Sequence, residues 1–252
     1  MPALRAHAVF LTHVRHWLDS PAGGPAGLRA TLEAHWPAVL LGTLAPDSWY
    51  VAGGSRPEMH FASRDDPSTW PDASDRWLAT RPSLAPGRSL PPETAGFLAG
   101  HLAHLGLDSW DDYQHPDFPA GARATAPAAW FPPPDRLGAP ARQRAALRAL
   151  AEAPFPDSRL VTAGDLACAP VPTGFPAQAI RQIGVTILRA LPLRDPWAIS
   201  RVNPLRPVPD TPEARREWET RRAAVPLATA GELEALLQCA TTFTLDALIR
   251  WW

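Results

Sequence analysis

The chain contains no lysine and a single asparagine, so all 24 of its basic residues are arginine. They are balanced by 25 acidic residues, and the formal net charge is -1. A surface that binds nucleic acid needs a net basic face, which this composition does not provide. We therefore expect no nucleic-acid partner, and the arginine bias is typical of GC-rich coding.

Cysteine and long apolar runs are also scarce. Cys168 and Cys239 lie far apart and belong to no CxxC pair, which argues against a disulfide framework and against a thiolate metal site. The chain has no run of about 18 apolar residues, and the N-terminal stretch MPALRAHAVFLTHVRHW does not read as a signal peptide. These features predict a cytoplasmic protein without a transmembrane segment.

The hydrophobic pattern is helical. A chain of 252 residues with 46% hydrophobic side chains can bury a substantial core. No alternating strand pattern of useful length occurs, and the proline-dense region 192–212 is unsuited to central strands. We expect an all-α, multi-helix fold with a metal-binding core at 1–120 and a helical, proline-rich remainder at 121–252, or one domain spanning 1–252. Helices are predicted at 3–18, 26–35, 91–108, 140–152, 176–191, 211–223 and 230–250.

Imidazole is concentrated in the first half of the chain, because the last of the eight histidines is His115. In the segment FLAGHLAHLGLD, helical spacing places His101, His104 and Asp108 along one stripe. The HxxxD pair His104 and Asp108 can present a nitrogen and an oxygen to the same zinc ion. The alternative is a pair that only hydrogen-bonds to its neighbours near a helix end.

Two further candidates come from the segments before this helix. His7 falls on the apolar face of the first helix, where a histidine is more often a core residue than a ligand. Asp47 follows an apolar segment at 37–44 and a predicted turn at Pro46. An aspartate in this position is either a metal ligand or general base, or a residue that only stabilises the turn. His60 follows thirteen residues later.

Taken in order, the segments AHAVFL, LGTLAPD, MHFAS and FLAGHLAHLGLD resemble the zinc-dependent phospholipase C family, specifically its short bacterial members without a signal peptide. The resemblance covers residues 1–120, about half of the chain. It implies an all-helical bundle with zinc at one end, a fold shared with zinc-dependent single-strand nucleases. It also implies that Asp47, His60, His104 and Asp108 hold one zinc, and that His7 holds a second one bridged through Asp108.

The chain departs from that family at two places. Secreted members use a mature N-terminal tryptophan as a ligand, whereas this sequence begins Met-Pro. They also hold a third zinc with later histidines, but here His115 is displaced by about one residue and no histidine follows it. One or two zinc ions are therefore expected, and three are not. Additional ligands, or groups that hydrogen-bond to the ligands, are expected among His101, Asp111, Asp112 and His115.

The resemblance implies a zinc-dependent phosphoester hydrolase in which metal-activated water attacks phosphorus and Asp47 orients or deprotonates that water. The substrate would be a small phosphoester or a phospholipid headgroup. The alternatives are a nuclease-like phosphodiesterase and a catalytically inactive, metal-stabilised helical module. Aromatic side chains near the proposed site either form a cation–π box or pack ordinarily; they are Trp49, Tyr50, Phe61, Trp70, Trp110 and Tyr113.

Overall fold

The computed structural model describes most of the chain. In the described residues, all secondary structure longer than one residue is helical. The described residues are 4–19, 24–54, 56–60, 66–70, 73–84, 89–115, 117–131, 140–155, 161–202, 205 and 208–252. The predicted all-α class is confirmed by thirteen α-helices and by the absence of strands from these residues. We number the helices α1 (Leu4–Leu18), α2 (Ala26–Ala34), α3 (Trp36–Val51), α4 (Arg56–His60), α5 (Ala73–Ala79), α6 (Pro92–Gln114), α7 (Ala120–Thr125), α8 (Pro140–Glu152), α9 (Ala163–Cys168), α10 (Ala177–Ala190), α11 (Pro196–Arg201), α12 (Pro212–Ala223) and α13 (Ala230–Trp251).

Helix ends follow local chemistry. Helix α6 begins with proline at its first position and Glu93 in the first turn, where a negative charge suits the helix dipole. Helix α13 begins with a capping box, in which the Thr229 hydroxyl accepts a hydrogen bond from the Glu232 N–H and the Glu232 carboxylate accepts one from Thr229. These signals explain why the predicted starts of the long helices agree closely with the structure.

The prediction at Pro46 was wrong. The apolar segment does not end in a turn there, because α3 continues through Pro46 to Val51. Proline removes one backbone hydrogen bond inside a helix and costs about 3 kcal/mol, but nearly all of α3 is buried, and its packing outweighs that cost. Helix α6 also extends past the predicted end at 108 to Gln114. Short helices α4, α5, α7, α9 and α11 were not predicted.

The closest helix contact joins α3 to α6. A Cβ atom added to Gly42 would overlap the carbonyl oxygen of Phe97, and one added to Gly100 would overlap the carbonyl oxygen of Val39. The Thr43 hydroxyl crosses the same interface and donates a 3.1 Å hydrogen bond to the Gly100 carbonyl. Two backbones therefore touch directly, and only glycine fits at these two positions.

Other helices pack around the pair formed by α3 and α6. Helix α13 lies against α6, α10 lies against α3, and α1 contacts both the central pair and α8. The proposed division of the chain at residue 120 stays a prediction, although one cluster of buried side chains contains residues from both sides of it. None of the helices in the described part of the chain combines the length and the apolar character needed to cross a membrane.

A buried arginine ties the first helix to the second half of the chain. Arg5 is 2% exposed, and its guanidinium donates hydrogen bonds to the carbonyls of Ala151, Ala190, Leu191 and Leu193. These carbonyls lie at or just beyond the C-terminal ends of α8 and α10, where a helix leaves its last carbonyls without backbone donors. One cation therefore satisfies two helix ends at once.

We predict that Gly42→Ala and Gly100→Ala each lower the free energy of unfolding by at least roughly 1–3 kcal/mol, because the added methyl group separates α3 from α6. Gly231→Ala is the matched control, since it lies inside α13 and its added Cβ meets nothing within 4 Å. That control should be neutral or stabilising by up to about 1 kcal/mol. Urea unfolding measures all three, and equal stability of Gly100→Ala and Gly231→Ala would contradict the prediction.

Candidate metal centre

Five of the candidate residues meet at one point in the bundle. His7 comes from α1, Asp47 from α3, His60 from the end of α4, and His104 and Asp108 from successive turns of α6. All five are buried, with at most 3% of each residue exposed to solvent. The sequence-based set of His7, Asp47, His60, His104 and Asp108 is thus brought together by four helices.

The first part of the centre is formed by His60 and the HxxxD pair. His60 Nε2 lies 3.2 Å from His104 Nε2 and 3.2 Å from Asp108 Oδ2. His104 Nε2 lies 3.8 Å from the same Asp108 oxygen. Two imidazole nitrogens and a carboxylate oxygen therefore face a common space, and their potential ligand atoms all lie within 4.8 Å of one another.

His7 and Asp47 complete the centre from opposite helices. The His7 ring stacks on the His104 ring with 3.6 Å between centroids and 7° between planes. His7 Nε2 lies 3.4 Å from Asp108 Oδ1, and Asp47 Oδ1 lies 3.5 Å from His60 Nε2. A second triad of potential ligand atoms, from His7, Asp47 and His104, also lies within 4.8 Å.

The orientation of His104 is fixed by α3. Its Nδ1 lies 2.7 Å from the backbone carbonyl oxygen of Thr43, to which an Nδ1–H donates. That bond leaves Nε2 with a lone pair directed into the cluster. Metal-binding histidines are usually oriented in this way by a second partner, so the α3–α6 contact sets the tautomer of a candidate ligand.

Burial and charge set the protonation states. Burial lowers the pKa of His7 to about 3, with a further contribution from His104, so His7 is a neutral imidazole at pH 7. Burial alone would raise the pKa of Asp47, but the neighbouring imidazoles of His60, His104 and His7 outweigh it and lower that pKa. The centre therefore presents the neutral imidazole of His7 beside the ionised carboxylate of Asp47.

These residues fit a zinc ion. Within the described part of the chain, neither ring nitrogen of His7 and neither carboxylate oxygen of Asp47 has a hydrogen bond of good geometry. Buried polar atoms normally have partners, and a cation that accepts their lone pairs would supply one. Three imidazoles and two carboxylates are nitrogen and oxygen donors of the kind that zinc binds.

The four additional candidates lie outside this cluster. His101 is fully buried between the rings of Trp77, at a centroid distance of 4.1 Å, and Phe175, at 5.5 Å. It belongs to neither ligand group found among the described residues. Neither of its ring nitrogens has a hydrogen bond within the described residues, so the prediction that it is a ligand or hydrogen-bonds to one stays a prediction.

His115, Asp111 and Asp112 are also not members of the two ligand groups. His115 follows the last residue of α6, has a half-exposed side chain and makes an edge contact with Trp70 at 5.1 Å. The Asp111 carboxylate accepts a 2.5 Å hydrogen bond from Gln143 of α8. Neither these two residues nor Asp112 belongs to a ligand group in the described residues, because α6 carries all three beyond Asp108.

Only one of the flanking aromatic rings has a described contact with a ligand. Tyr50 lies 6.1 Å from the His60 ring and is 36% exposed, whereas Trp110 is completely buried. Trp70 and Tyr113 both pack against Phe118, which is ordinary packing. No aromatic box is formed by these described residues, and Phe61 lies outside the described part of the chain.

Sequence reasoning missed what supports the ligands. The Thr43 carbonyl could not be singled out, because every residue carries a backbone carbonyl. The close helix contact did leave a signal, since Gly96 and Gly100 are four residues apart on α6 and Gly42 lies five residues before Asp47. Small residues at this spacing are typical of closely packed helices, and they could have paired α3 with α6.

Comparisons of the chain with models of known families, with curated proteins and with solved structures gave no match. The resemblance to the zinc-dependent phospholipase C family therefore stays a prediction. What the structure adds is the convergence of the side chains.

We predict that the metal-free protein loses stability in acid because of His7. Its pKa falls from an ordinary value of 6.5 to about 3 in the folded state, so below pH 6.5 the unfolded chain takes up a proton that the folded protein does not. The unfolding free energy should decline from pH 6.5 towards pH 3. Urea unfolding of chelator-treated protein should show a weaker decline in His7→Gln but an unchanged one in His16→Gln, an exposed control on the same helix.

Proposed function

We propose that the protein is a zinc-dependent phosphoester hydrolase whose metal is held by His7, Asp47, His60, His104 and Asp108. The observation that carries the proposal is the convergence of five sequence-distant side chains, all buried, on one point. Such a cluster is costly to bury without a ligand, because its carboxylate and imidazole atoms lose their water. The order of the motifs along the chain adds the resemblance to zinc-dependent phospholipases C.

A zinc ion, when bound, activates water for nucleophilic attack at neutral pH and polarises a phosphoryl oxygen. The protein supplies the rest. His104 offers Nε2 because Thr43 holds its Nδ1, and His60 Nε2 faces the same space. Asp47 is ionised and has carboxylate oxygens without good hydrogen bonds from described residues, so it can accept a proton from a neighbouring water.

One tightly held ion per chain is the expected stoichiometry. The two triads share His104, and a single nitrogen lone pair serves one ion. The other nitrogen of His104 is already committed to Thr43. A weaker second ion would bind between Asp108 Oδ1 and His7 Nε2, which lie 3.4 Å apart.

The substrate class is a small phosphoester or a phospholipid headgroup. Tyr50, which is 36% exposed, is the described aromatic residue that connects the surface to His60. The chain has a net charge of -1 and offers no overall basic character that would favour a long polyanion. A compact substrate approaching beside Tyr50 is therefore favoured over nucleic acid.

The burial of the five residues also favours a second candidate function, a structural metal site in a helical module without activity. A metal held by four or more protein ligands stabilises a fold, whereas a catalytic site keeps one position open for water. The two candidates share the ligands and differ in turnover, so one set of variants separates them.

The first test is metal content. Protein purified and loaded with zinc should contain one equivalent by elemental analysis, and His104→Ala should lose it because both triads include His104. His16→Ala, which alters an exposed histidine of α1, should keep a full equivalent. A His104→Ala protein that retains stoichiometric zinc would overturn the proposed centre.

The second test is turnover of bis(p-nitrophenyl) phosphate and of phosphatidylcholine vesicles. Asp47→Asn should lower hydrolysis by about 100-fold or more, the usual cost of losing a general base, while the remaining ligands keep zinc bound. Asp112→Asn, an aspartate of α6 outside both ligand groups, should leave the rate unchanged. Stoichiometric zinc without any hydrolysis in the wild type would reject the enzyme and support the structural metal site.

A further inference from the structure

A cavity of about 340 Å³ lies apart from the metal centre, between the first turn of α1 and helices α8, α10, α11 and α12. Its walls are formed chiefly by apolar side chains, among them Leu4, Ile187, Ile199, Val202 and Val225. Small-molecule sites have volumes of roughly 300–1,000 Å³. This cavity is at the lower end of that range, so it suits a single aliphatic chain.

The charged residues that line the cavity are mostly cationic, being four arginines and one glutamate. Three of these arginines already make hydrogen bonds within the protein. Arg5 and Arg148 donate to backbone carbonyls, and Arg222 makes two hydrogen bonds to Glu152. The fourth arginine, Arg221, is therefore the one whose charge is available to a ligand.

Arg221 has only a weak partner within the described residues. Its guanidinium lies 3.5 Å from Glu217 one turn earlier on α12, and both side chains are about two-thirds exposed, at 67% and 68%. An exposed pair of this kind contributes little, so a carboxylate from a ligand can replace Glu217 at small cost. The positive charge of Arg221 therefore favours a ligand whose aliphatic chain carries an anionic head group.

Helix α12 covers the cavity but is loosely attached. It buries none of its own side chains. Its C-terminal end receives hydrogen bonds from Arg148 at the carbonyls of Arg222, Val225 and Pro226. It is also held by the ring contact of Trp218 with Trp197 and by the pair of Arg222 with Glu152. A second cavity, of about 400 Å³, also borders Trp218 and Arg222. A helix that buries no side chain can move outward at lower cost than a helix of the core, which gives a ligand a way in.

We infer that this cavity binds a medium-chain aliphatic carboxylate, with the chain between α1 and α11 and the carboxylate at Arg221. The site is independent of the proposed hydrolase chemistry. It shares only α1 with the metal centre, where Leu4 and Arg5 line the cavity and His7 belongs to the ligand cluster.

The test is titration of the protein with sodium decanoate, monitored by calorimetry and by intrinsic tryptophan fluorescence, to which Trp218 contributes from the cavity wall. Saturable binding of one equivalent is expected, and decyltrimethylammonium, which carries the same chain with a cationic head, should bind at least fivefold more weakly. Ile199→Trp places a large side chain in the cavity and should abolish decanoate binding. Circular dichroism and the unfolding midpoint confirm that each variant is folded.

A matched pair of charge reversals tests the head-group contact. Arg221→Glu should weaken decanoate binding by roughly fivefold or more. Arg216→Glu changes the net charge equally and also breaks an exposed ion pair on α12, with Glu213, but it does not line the cavity and should bind decanoate normally. The inference is overturned if the wild type shows no saturable binding, if both charge reversals bind equally, or if decyltrimethylammonium binds as tightly as decanoate.

Discussion

The direct contact between the backbones of α3 and α6 is the constraint on which the rest of the molecule depends. Gly42 and Gly100 allow an approach that any side chain would prevent. This approach brings the Thr43 carbonyl to the ring of His104 and places Asp47 opposite the HxxxD pair. The spacing of two helices therefore decides both the tautomer of one ligand and the distance between two others.

The polar cluster at this interface is energetically costly to bury in the apolar core around it. Burial holds the His7 imidazole neutral by lowering its pKa to about 3, while Asp47 stays ionised in the same cluster. A negative carboxylate in a helical interior is expensive unless a cation or a hydrogen-bond donor faces it. The same arrangement that is costly without a metal could hold a divalent cation.

How much of this could be predicted from the sequence depended on the range of the interaction involved. The helical class and the long helices followed from local periodicity and capping, as at α8 and α13. The five candidate ligands were chosen through the family resemblance of ordered motifs, with His7 also marked by its helix face, and the structure brings these side chains together. The turn at Pro46 was wrong because burial of α3 overrides a local rule, and the packing of His101 between Trp77 and Phe175 depends on tertiary contacts that no spacing reveals.

The buried guanidinium of Arg5 has a consequence for the order in which the protein can be completed during synthesis. Its acceptors lie 146 to 188 residues further along the chain, so the first turn of α1 gains this anchor only after residue 193 has left the ribosome. His7 is two positions from that anchor. A nascent chain that already contains all five candidate ligands would therefore still lack the anchor that holds one of them in place.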